Sequence, residues 1–418
     1  MRNIGRLGSM VEKIGAVMVI GGGVGGIQAA LDLAESGYFV YLVDSSPTIG
    51  GVMAQLDKTF PTNDCSMCIL SPKLVECGRH LNIEIISNAE IRKVEGEAGN
   101  FRVELVKKAR YVDPSKCTGC GECAKHCPVR AIDTFNEGLS RRAAIYIKYP
   151  QAVPRAFVID REKCIGCGLC ERVCLAGAIK YTDEDQAEGV NVGAIILCPG
   201  YELFDARQVF NYGYSRYPNV VTSIEFERIL SASGPYKGYL LRPSDRDIPE
   251  KIAFIQCVGS RDITYNRGYC SSVCCTYAIK EAIIAKEHSP VGLDVTIFYM
   301  DMRTYGKGFD RYYQRAKDEY GIKFVRSKVY EVKGVDTTGD LILRYTGEDG
   351  RVFEDRFDLV VLSVGFQPSS AVIKLSKILG ISLNKYNFCA THPFAPVETS
   401  RPGIFACGAY TGPKDIPE

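Results

Sequence analysis

Short, mostly apolar runs recur along the chain, and most of them end at glycine or at a polar residue. They lie at residues 16–20, 39–43, 192–197, 252–255 and 359–365. Runs of about four to eight apolar residues bounded by turn residues are typical of strands buried on both faces of a parallel sheet. Helical stretches at 27–36 and 277–286 follow two of these runs, so the order predicts a doubly wound α/β fold.

Other segments complete this pattern. Residues 294–299 and 403–408 predict two more strands, and residues 304–320 predict a helix. Apolar and polar residues alternate over 322–357, which predicts antiparallel strands with one face exposed. Between residues 112 and 182 the apolar runs are few and cysteines are frequent, which indicates a small domain inserted into a larger one.

Length and composition narrow the function classes. The chain has 418 residues, enough for two or three domains, and its 51 basic residues nearly balance its 49 acidic ones. This balance gives no argument for a nucleic acid or a membrane surface as partner. The sequence shows neither a signal peptide nor an apolar run near the ~20 residues of a membrane span, so we expect a cytoplasmic protein. The 18 cysteines indicate metal or redox chemistry.

Two runs of four cysteines share one spacing. The cysteines of each run are separated by two, two and three residues, and the second run starts 164 − 117 = 47 residues after the first. The runs are Cys117, Cys120, Cys123 and Cys127, then Cys164, Cys167, Cys170 and Cys174. This is the spacing of bacterial ferredoxins, in which the fourth cysteine of each run ligates the other cluster.

The spacing therefore predicts two [4Fe–4S] clusters with crossed ligands. Cluster 1 takes Cys117, Cys120, Cys123 and Cys174, and cluster 2 takes Cys164, Cys167, Cys170 and Cys127. Zinc or disulfides are the alternative, but zinc sites use paired C-x2-C elements and do not need a triple run. Two such clusters imply electron transfer in an anaerobic or reducing compartment.

A glycine-rich segment follows the first predicted strand and opens a helix. Gly21, Gly23 and Gly26 have the G-x-G-x-x-G spacing, Gly25 lies among them, and Asp44 ends the next strand. In this context the motif is the dinucleotide fingerprint, with the pyrophosphate on the helix N-terminus and the acidic residue on the ribose. We therefore predict that these four glycines and Asp44 bind a dinucleotide.

Further glycine-containing segments favour FAD over NAD. The loop Ile49-Gly50-Gly51 resembles the one that passes the flavin in two-dinucleotide-domain flavoproteins, and the elements ending at Gly200 and Gly365 resemble those that close such folds. The segment 403–412, with Gly408, resembles their final flavin-contacting turn. That turn usually continues with Asp on the ribityl chain, and here Ala409 stands in its place, so we do not expect this contact.

The second strand–helix unit lacks a glycine fingerprint, so the nicotinamide site is expected to be lost. In its place stand Cys257, Cys270, Cys274 and Cys275 near a helix N-terminus, where the dipole is expected to lower thiol pKa values. They could ligate a third cluster, form a redox dithiol or be inert buried cysteines.

Lys280 on the same helix is either a solvated lysine or a cation near the flavin. Cys65, Cys68 and Cys77 form a possible metal site that is one ligand short.

Together these motifs resemble the A-subunit of heterodisulfide reductase over about residues 14–418. The resemblance rests on the Gly21–Gly26 segment, the double ferredoxin run and four specific stretches, which are PTNDCSMC (61–68), QCVGSRD (256–262), CSSVCC (270–275) and GPKDIPE (412–418). It implies a thioredoxin-reductase-like two-dinucleotide-domain flavoprotein with an inserted 2[4Fe–4S] ferredoxin domain. It also implies FAD, several [4Fe–4S] clusters and a third cluster on the Cys257 group.

The resemblance also implies an electron-transfer oxidoreductase in anaerobic metabolism such as methanogenesis. Members of the family accept electron pairs from a hydrogenase or formate dehydrogenase partner, and their FAD is held to bifurcate them between ferredoxin and disulfide-reducing subunits. We therefore expect a hetero-oligomer. Related short subunits of quinone-interacting oxidoreductase complexes and NAD(P)H-dependent flavin oxidoreductases are the alternatives. Family members continue past residue 418 with a helix that packs on the flavin, and this sequence stops where that helix is expected.

These features divide the chain into six predicted segments. They are an N-terminal tail (1–14), the first part of the FAD-binding domain (15–111), the inserted ferredoxin domain (112–182), the second part of the FAD-binding domain with a connection (183–250), a second Rossmann-like domain without the NAD fingerprint (251–365) and a return to the FAD-binding domain that is apparently truncated (366–418).

Overall fold

The computed structural model describes residues 13–418, so residues 1–12 of the predicted tail lie outside the described residues. Eight α-helices occur in this range: α1 (Val24–Glu35), α2 (Ser66–Arg79), α3 (Glu122–Lys125), α4 (Leu169–Arg172), α5 (Ser223–Leu230), α6 (Cys274–His288), α7 (Phe309–Asp318) and α8 (Ser370–Leu379). None of the helices within 13–418 is both long enough and apolar enough to cross a membrane.

The described range contains 22 β-strands. The first eleven are β1 (Ala16–Ile20), β2 (Phe39–Asp44), β3 (Ile83–Ser87), β4 (Ala89–Glu97), β5 (Asn100–Lys107), β6 (Ala131–Ile132), β7 (Arg141–Arg142), β8 (Ile145–Tyr146), β9 (Val158–Ile159), β10 (Gln186–Val192) and β11 (Ala194–Leu197). The remaining eleven are β12 (Glu202–Leu203), β13 (Val220–Thr222), β14 (Lys251–Val258), β15 (Asp294–Tyr299), β16 (Lys323–Arg326), β17 (Val329–Gly334), β18 (Leu341–Thr346), β19 (Val352–Phe357), β20 (Leu359–Val364), β21 (Phe366–Gln367) and β22 (Ile404–Ala406).

The first large sheet is parallel and has the order β22-β11-β1-β2-β3. Its central strand β1 is almost wholly buried, as the continuous apolar run predicts. A three-stranded antiparallel sheet, β10-β5-β4, packs beside it. Strand β22 comes from the end of the chain and pairs in parallel with β11 at the edge of this sheet.

The second large sheet is also parallel and has the order β13-β20-β14-β15-β16, with β17-β18-β19 as its antiparallel companion. Strand β13 belongs to this sheet and helix α5 packs against it, although the sequence analysis placed both in the second part of the FAD-binding domain. The short apolar run at 220–222 gives little sign of its partner, because pairing with β20 is set by residues 140 positions away (360 − 220).

Two predicted segments differ in detail from the structure. The helix expected over 304–320 is confined to α7 (Phe309–Asp318), because Gly308 just before it has left-handed backbone (φ +82°). The antiparallel pattern expected over 322–357 begins only at β17. Residues 323–326 form β16 instead and pair in parallel with β15.

Candidate flavin and iron–sulfur sites

The carboxyl end of β1 lies at the switch point of the first sheet, between β2 and β11. The backbone turns there through Gly21 (φ +109°), whose N–H donates to the Val43 carbonyl (2.8 Å). A Cβ on Gly21 would lie 2.1 Å from the Cys198 carbonyl oxygen, and one on Gly26 would lie 1.8 Å from the Gly21 carbonyl oxygen. Only glycine fits at both positions, so the turn can hold α1 close to the sheet.

Packing against the protein does not explain the glycine at position 23, in contrast to Gly21 and Gly26. Gly23 caps the N-terminus of α1, and a Cβ built on it would meet nothing within 4 Å. Protein packing therefore does not require glycine here, and the open space lies outside the helix N-terminus. Free backbone N–H groups and the helix dipole favour an anion at such a position. This cradle fits the pyrophosphate of FAD. Gly25 lies in the first turn of the same helix.

Asp44 braces the glycine turn from the end of β2. Its carboxylate accepts hydrogen bonds from the N–H groups of Gly22 (2.6 Å) and Ser46 (2.7 Å). Burial raises the pKa of Asp44, while these two bonds and the charge of Lys148 oppose the rise. A carboxylate oxygen can accept more than one hydrogen bond, so a ribose contact remains compatible with this role. The ribose contact stays a prediction.

The other four predicted flavin-site glycines lie around the same edge of the sheet. Gly50 donates its N–H to a carbonyl of the glycine turn (2.6 Å), and a Cβ on Gly51 would lie 2.9 Å from the Gly23 Cα. Gly200 and Gly408 follow β11 and β22, and both have positive φ (+71° and +62°). A Cβ on either would meet nothing within 4 Å, so both border open space.

Two thiols at this edge were missed by the sequence analysis. Cys198 directly follows β11 and Cys407 directly follows β22, and their sulfurs lie 3.0 Å apart. The hydrogen bond between them lowers the pKa of Cys407 and raises that of Cys198. Neither has the spacing of a metal ligand. The one available signal is that each follows a strand expected to end beside the flavin.

The two ferredoxin runs fold as two copies of one turn. Each begins with an aspartate carbonyl that accepts the N–H of the first cysteine, Asp113 with Cys117 (3.0 Å) and Asp160 with Cys164 (2.9 Å). Each then enters a four-residue helix, α3 or α4, through a glycine in the left-handed conformation. The sequence repeat is therefore a structural repeat, and the glycines are required by the positive φ of both turns.

Residues from both runs line one small cavity that opens to solvent. Its lining includes the four predicted ligands of cluster 2, namely Cys164, Cys167, Cys170 and Cys127. Apolar side chains such as Ile145 and Ile159 form much of the remaining wall. Four thiols from two crossed runs around one apolar cavity fit a [4Fe–4S] cluster.

Three of the predicted ligands of cluster 1, namely Cys117, Cys123 and Cys174, belong to the same small core. Burial raises the pKa of Cys123 to about 12, and the negative charges of Cys117 and Cys120 add to this rise. Cys120 is exposed, and hydrogen bonds from a neighbouring backbone N–H and from Thr118 lower its pKa. Cys174 packs against the core, and its sulfur accepts a backbone N–H (3.4 Å).

The third cysteine group lies at the carboxyl end of β14, the position that the glycine turn occupies in the first unit. Cys257 has left-handed backbone (φ +61°), and Cys274 is the first residue of α6. Burial raises the pKa of Cys274 and that of Cys275, the latter to about 12, and the charges of Cys257 and Cys270 add to both. The expected lowering by the helix dipole is therefore wrong for these two thiols. Both thiols nonetheless lie close enough to Cys257 and Cys270 for the charges of these two residues to raise their pKa values.

Cys65, Cys68 and Cys77 are not brought together. A disulfide joins Cys65 to Cys68, whereas the Cys77 sulfur is buried and points toward the Ile27 carbonyl (3.9 Å). Within residues 13–418 no three His, Cys, Asp or Glu side chains are gathered as the ligands of a single metal ion are. The structure therefore does not support the three-cysteine metal site. A cubane, by contrast, holds its thiolates farther apart than one ion does.

Lys280 is a buried lysine and not a solvated one. Its side chain is 3% exposed, and its ammonium group donates to the carboxylate of Glu227, which is 2% exposed. The ammonium also donates to the Lys58 carbonyl (2.9 Å), and the second carboxylate oxygen of Glu227 accepts the Asp57 N–H (2.9 Å). The pair therefore joins α5 and α6 of the second unit to the 57–58 segment of the first. Sequence analysis did not find Glu227, because an acidic residue in a helix gives no sign of burial.

Glu281, the next residue of α6, is 1% exposed, and both its carboxyl oxygens lack a hydrogen-bond partner among the described residues. Burial raises the pKa of Glu281 well above its ordinary 4.5, and the nearby charge of Glu227 adds to the rise. The buried Glu281 carboxyl, with its raised pKa, thus lies against the Lys280–Glu227 pair.

We expect Glu281→Gln to flatten the dependence of stability on pH. The folded chain binds the Glu281 proton more tightly than the unfolded chain, so the stability that this proton contributes is present below pH 4.5 and is lost as pH rises. Glutamine has no proton to lose. The melting temperature of the variant should therefore fall less than that of the wild type as pH rises above 4.5. Anaerobic melts test this, with exposed Glu348→Gln as control. Equal slopes would contradict the shift.

Comparison with curated proteins shows to which family the chain belongs. It is 51% identical over 412 residues to the CoB–CoM heterodisulfide reductase iron-sulfur A-subunit 2 of Methanopyrus kandleri. It is 47% identical over 415 residues to the A-subunit of the H(2):CoB-CoM heterodisulfide,ferredoxin reductase of Methanothermobacter marburgensis. These alignments cover 97% and 98% of the chain. The chain belongs to the heterodisulfide reductase A-subunit family. It spans 62% of the length of both relatives.

Three family profiles match parts of this heterodisulfide reductase family member. A 4Fe-4S dicluster domain matches residues 116–178, an FAD dependent oxidoreductase matches 16–66, and a pyridine nucleotide-disulphide oxidoreductase matches 268–418. The first coincides with the ferredoxin insertion and the second with the glycine turn and Asp44. FAD and iron–sulfur domains are thereby confirmed, whereas the number of clusters stays a prediction.

Solved structures agree on the fold. Thioredoxin reductase of Lactococcus lactis superposes with a TM-score of 0.51 at 16% identity, covering 96% of this chain and 91% of that one. Thioredoxin reductase of T. acidophilum gives 0.51 at 14% identity, covering 97% and 92%. At such identities the likeness concerns the fold alone. It confirms the predicted thioredoxin-reductase-like architecture of this heterodisulfide reductase family member.

Proposed function

We propose that the chain is an FAD- and iron–sulfur-containing electron-transfer subunit of a heterodisulfide-reductase-like complex. The observation that carries this proposal is the docking of the ferredoxin insertion on the loop beside the glycine turn. Ile49 donates its N–H to the Val153 carbonyl (2.9 Å), Tyr149 donates its hydroxyl to the Ile49 carbonyl, and Gln55 donates to the Phe135 carbonyl (2.9 Å). The insertion is thus held against the segment that flanks the flavin cradle.

FAD, when bound, supplies chemistry that links two-electron donors to one-electron iron–sulfur carriers. The chain's own part is to position the two kinds of group. The glycine turn and the start of α1 would hold the pyrophosphate, and the crossed cysteine runs would hold the clusters. The buried Lys280–Glu227 pair places a charged group between the two dinucleotide units, and we propose that Lys280 is the cation beside the flavin.

We further propose that the complex bifurcates electron pairs from a hydrogenase- or formate-dehydrogenase-type donor between ferredoxin and a disulfide-reducing partner. The names of the relatives support this. One belongs to an H(2):CoB-CoM heterodisulfide,ferredoxin reductase, and another, from Methanococcus maripaludis, to an H(2)/formate:CoB-CoM heterodisulfide,ferredoxin reductase. Anaerobic purification, with identification of the proteins that co-purify and a flavin count, tests the assignment. A chain that purifies alone and without flavin would contradict it.

A third [4Fe–4S] cluster on Cys257, Cys270, Cys274 and Cys275 belongs to the same proposal. With the two ferredoxin clusters, it gives about twelve iron atoms per chain. We expect Cys274→Ala to lower the count to about eight with FAD retained, because the Cys274 thiol lies far from the glycine turn in sequence and in a different sheet unit. Iron and acid-labile sulfide assays measure this. A count of about eight in the wild type would remove the third site and leave the ferredoxin clusters intact.

An NAD(P)H-dependent flavin oxidoreductase is the alternative that one observation favours, namely the profile match over 268–418. The structure around β14 argues against it. A Cβ on Gly259 would lie 2.0 Å from the Phe204 ring, so that ring fills the space that stays open at Gly23. Helix α6 begins only at Cys274, which leaves no helix N-terminus directly after the strand to receive a pyrophosphate.

We therefore expect that neither NADH nor NADPH will reduce the flavin of the isolated chain, whereas dithionite will. Stopped-flow absorbance of the anaerobic, FAD-loaded protein measures both reactions. Stoichiometric reduction of the flavin by NADPH within milliseconds would favour the alternative. Free riboflavin mixed with the same reductants controls for direct chemistry.

A further inference from the structure

Cys65 and Cys68 form a C-x-x-C motif at the start of α2, and neither the flavin nor the clusters use it. Both residues are exposed, their Cα atoms lie 5.2 Å apart and a disulfide joins them. Residues 13–418 hold every cysteine of the chain, and the other sixteen are free. A disulfide that is reachable from solvent at a helix N-terminus has the surroundings of reactive rather than structural cysteines.

The geometry favours a thiolate at Cys65. Cys65 is the N-cap of the 14-residue α2, and its sulfur accepts the Cys68 N–H (3.1 Å). The helix dipole adds to this stabilisation. Pro72 follows within the same helix and has no N–H to bond to the Cys68 carbonyl four residues earlier, so the turn that carries both sulfurs has one hydrogen bond fewer than an ordinary first turn.

The motif is also attached to the buried ion pair. Lys58 and Cys65 pair as an isolated β-bridge, and the Lys58 carbonyl is the one that accepts from the Lys280 ammonium. The next residue, Ser66, is fully buried and donates its N–H to the Asp57 carbonyl (3.1 Å). One side of the motif is thus anchored to the interface of the two units, while its sulfurs face solvent.

We propose that Cys65 and Cys68 are a dithiol–disulfide exchange site that reacts with exposed disulfides and dithiols from outside the chain. In the reduced state the Cys65 thiolate attacks one sulfur of a disulfide R–S–S–R, which breaks that bond, releases R–S⁻ and forms Cys65–S–S–R. The Cys68 thiolate then attacks the Cys65 sulfur, releases the second R–S⁻ and closes the Cys65–Cys68 disulfide. Two electrons pass to the external disulfide, and the two cysteine protons pass to the released thiolates. An external dithiol drives the reverse sequence.

The proposal does not depend on the function proposed above, and it is tested on the holoprotein without an activity assay. Anaerobic protein is incubated with dithiothreitol or with its oxidised cyclic form, and thiols are then alkylated and digested with trypsin. The peptide 59–73 contains both sulfurs, and the peptide 74–79 contains the buried Cys77 as internal control. We expect two labels on 59–73 after the dithiol, none after the oxidised form, and no label on 74–79 in either state.

Two single variants assign the roles of the sulfurs. We expect Cys65 in Cys68→Ser to react with glutathione disulfide at least about fivefold faster than Cys68 in Cys65→Ser, because only Cys65 has the N-cap position. Cys77→Ala is the matched control on the same helix and should leave the labelling of 59–73 unchanged. Labelling only after unfolding, a pair that stays reduced in the oxidised reagent, or loss of a bound metal ion from Cys65→Ser would each overturn the proposal.

Discussion

Replacing Gly23 with leucine will leave the chain folded and abolish its retention of FAD. A Cβ at this position meets no protein atom within 4 Å, so the side chain costs the apo fold little. It would instead occupy the space outside the α1 N-terminus, where the pyrophosphate must approach the backbone. Flavin released on denaturation should fall from about one per chain to none, while the iron content is largely retained because the ferredoxin insertion forms around its own clusters.

Two matched glycine variants separate ligand loss from misfolding. Gly189→Leu places the same side chain on the exposed face of β10, away from the cradle, and should retain both FAD and iron. Gly26→Ala puts a Cβ 1.8 Å from the Gly21 carbonyl oxygen and should destabilise the first unit itself. Stoichiometric FAD in purified Gly23→Leu would mean that the glycine turn has been misassigned.

Replacing Cys120 with alanine will remove about four iron atoms per chain and loosen the inserted domain. The apolar core of this domain is small, with few large side chains beyond Phe157, Ile145 and Ile159, and several of its buried positions are the cysteines themselves. Such a domain depends on its metal for much of its folding free energy. Iron and sulfide assays measure the first effect, and limited proteolysis within residues 112–182 measures the second.

Cys389→Ala is the control for this experiment. Cys389 is equally a cysteine, but it is buried in the core of the first unit and far from both ferredoxin runs. It should retain the wild-type iron count. If Cys120→Ala kept all its iron, Cys120 would not be a ligand, and the crossed arrangement of the two runs would need revision.

The elements that the sequence predicts well are those fixed by local chemistry. The buried strand at 16–20, the glycine turn after it and the two ferredoxin turns all depend on residues within a few positions of one another. The second parallel sheet was harder to predict, because β13 pairs with β20, which lies 140 residues later in the chain. Local periodicity carries no information about such pairings.

The residues of the candidate site likewise fall into those that local sequence predicts and those that only the fold brings together. Spacing alone predicts the ferredoxin cysteines and the flavin glycines as site residues, because each set lies within a few loops. Glu227, Glu281 and the Cys198–Cys407 contact arise only when distant segments meet. Asp44 shows an intermediate case, since its motif predicts a ligand contact and the fold adds hydrogen bonds to the glycine turn.

The ferredoxin insertion leaves the first unit after β5 and re-enters it at β10, and the two strands are antiparallel neighbours. Lys107 and Gln186, the residues at its two ends, face each other as a rung of this ladder, about 5 Å apart. A two-residue hairpin turn could join the same strands. A gene could therefore acquire or lose the whole module in one step with no strand changing its partner, and a chain without it would lose only the hydrogen bonds that hold Ile49, Gln55 and their neighbours beside the flavin cradle.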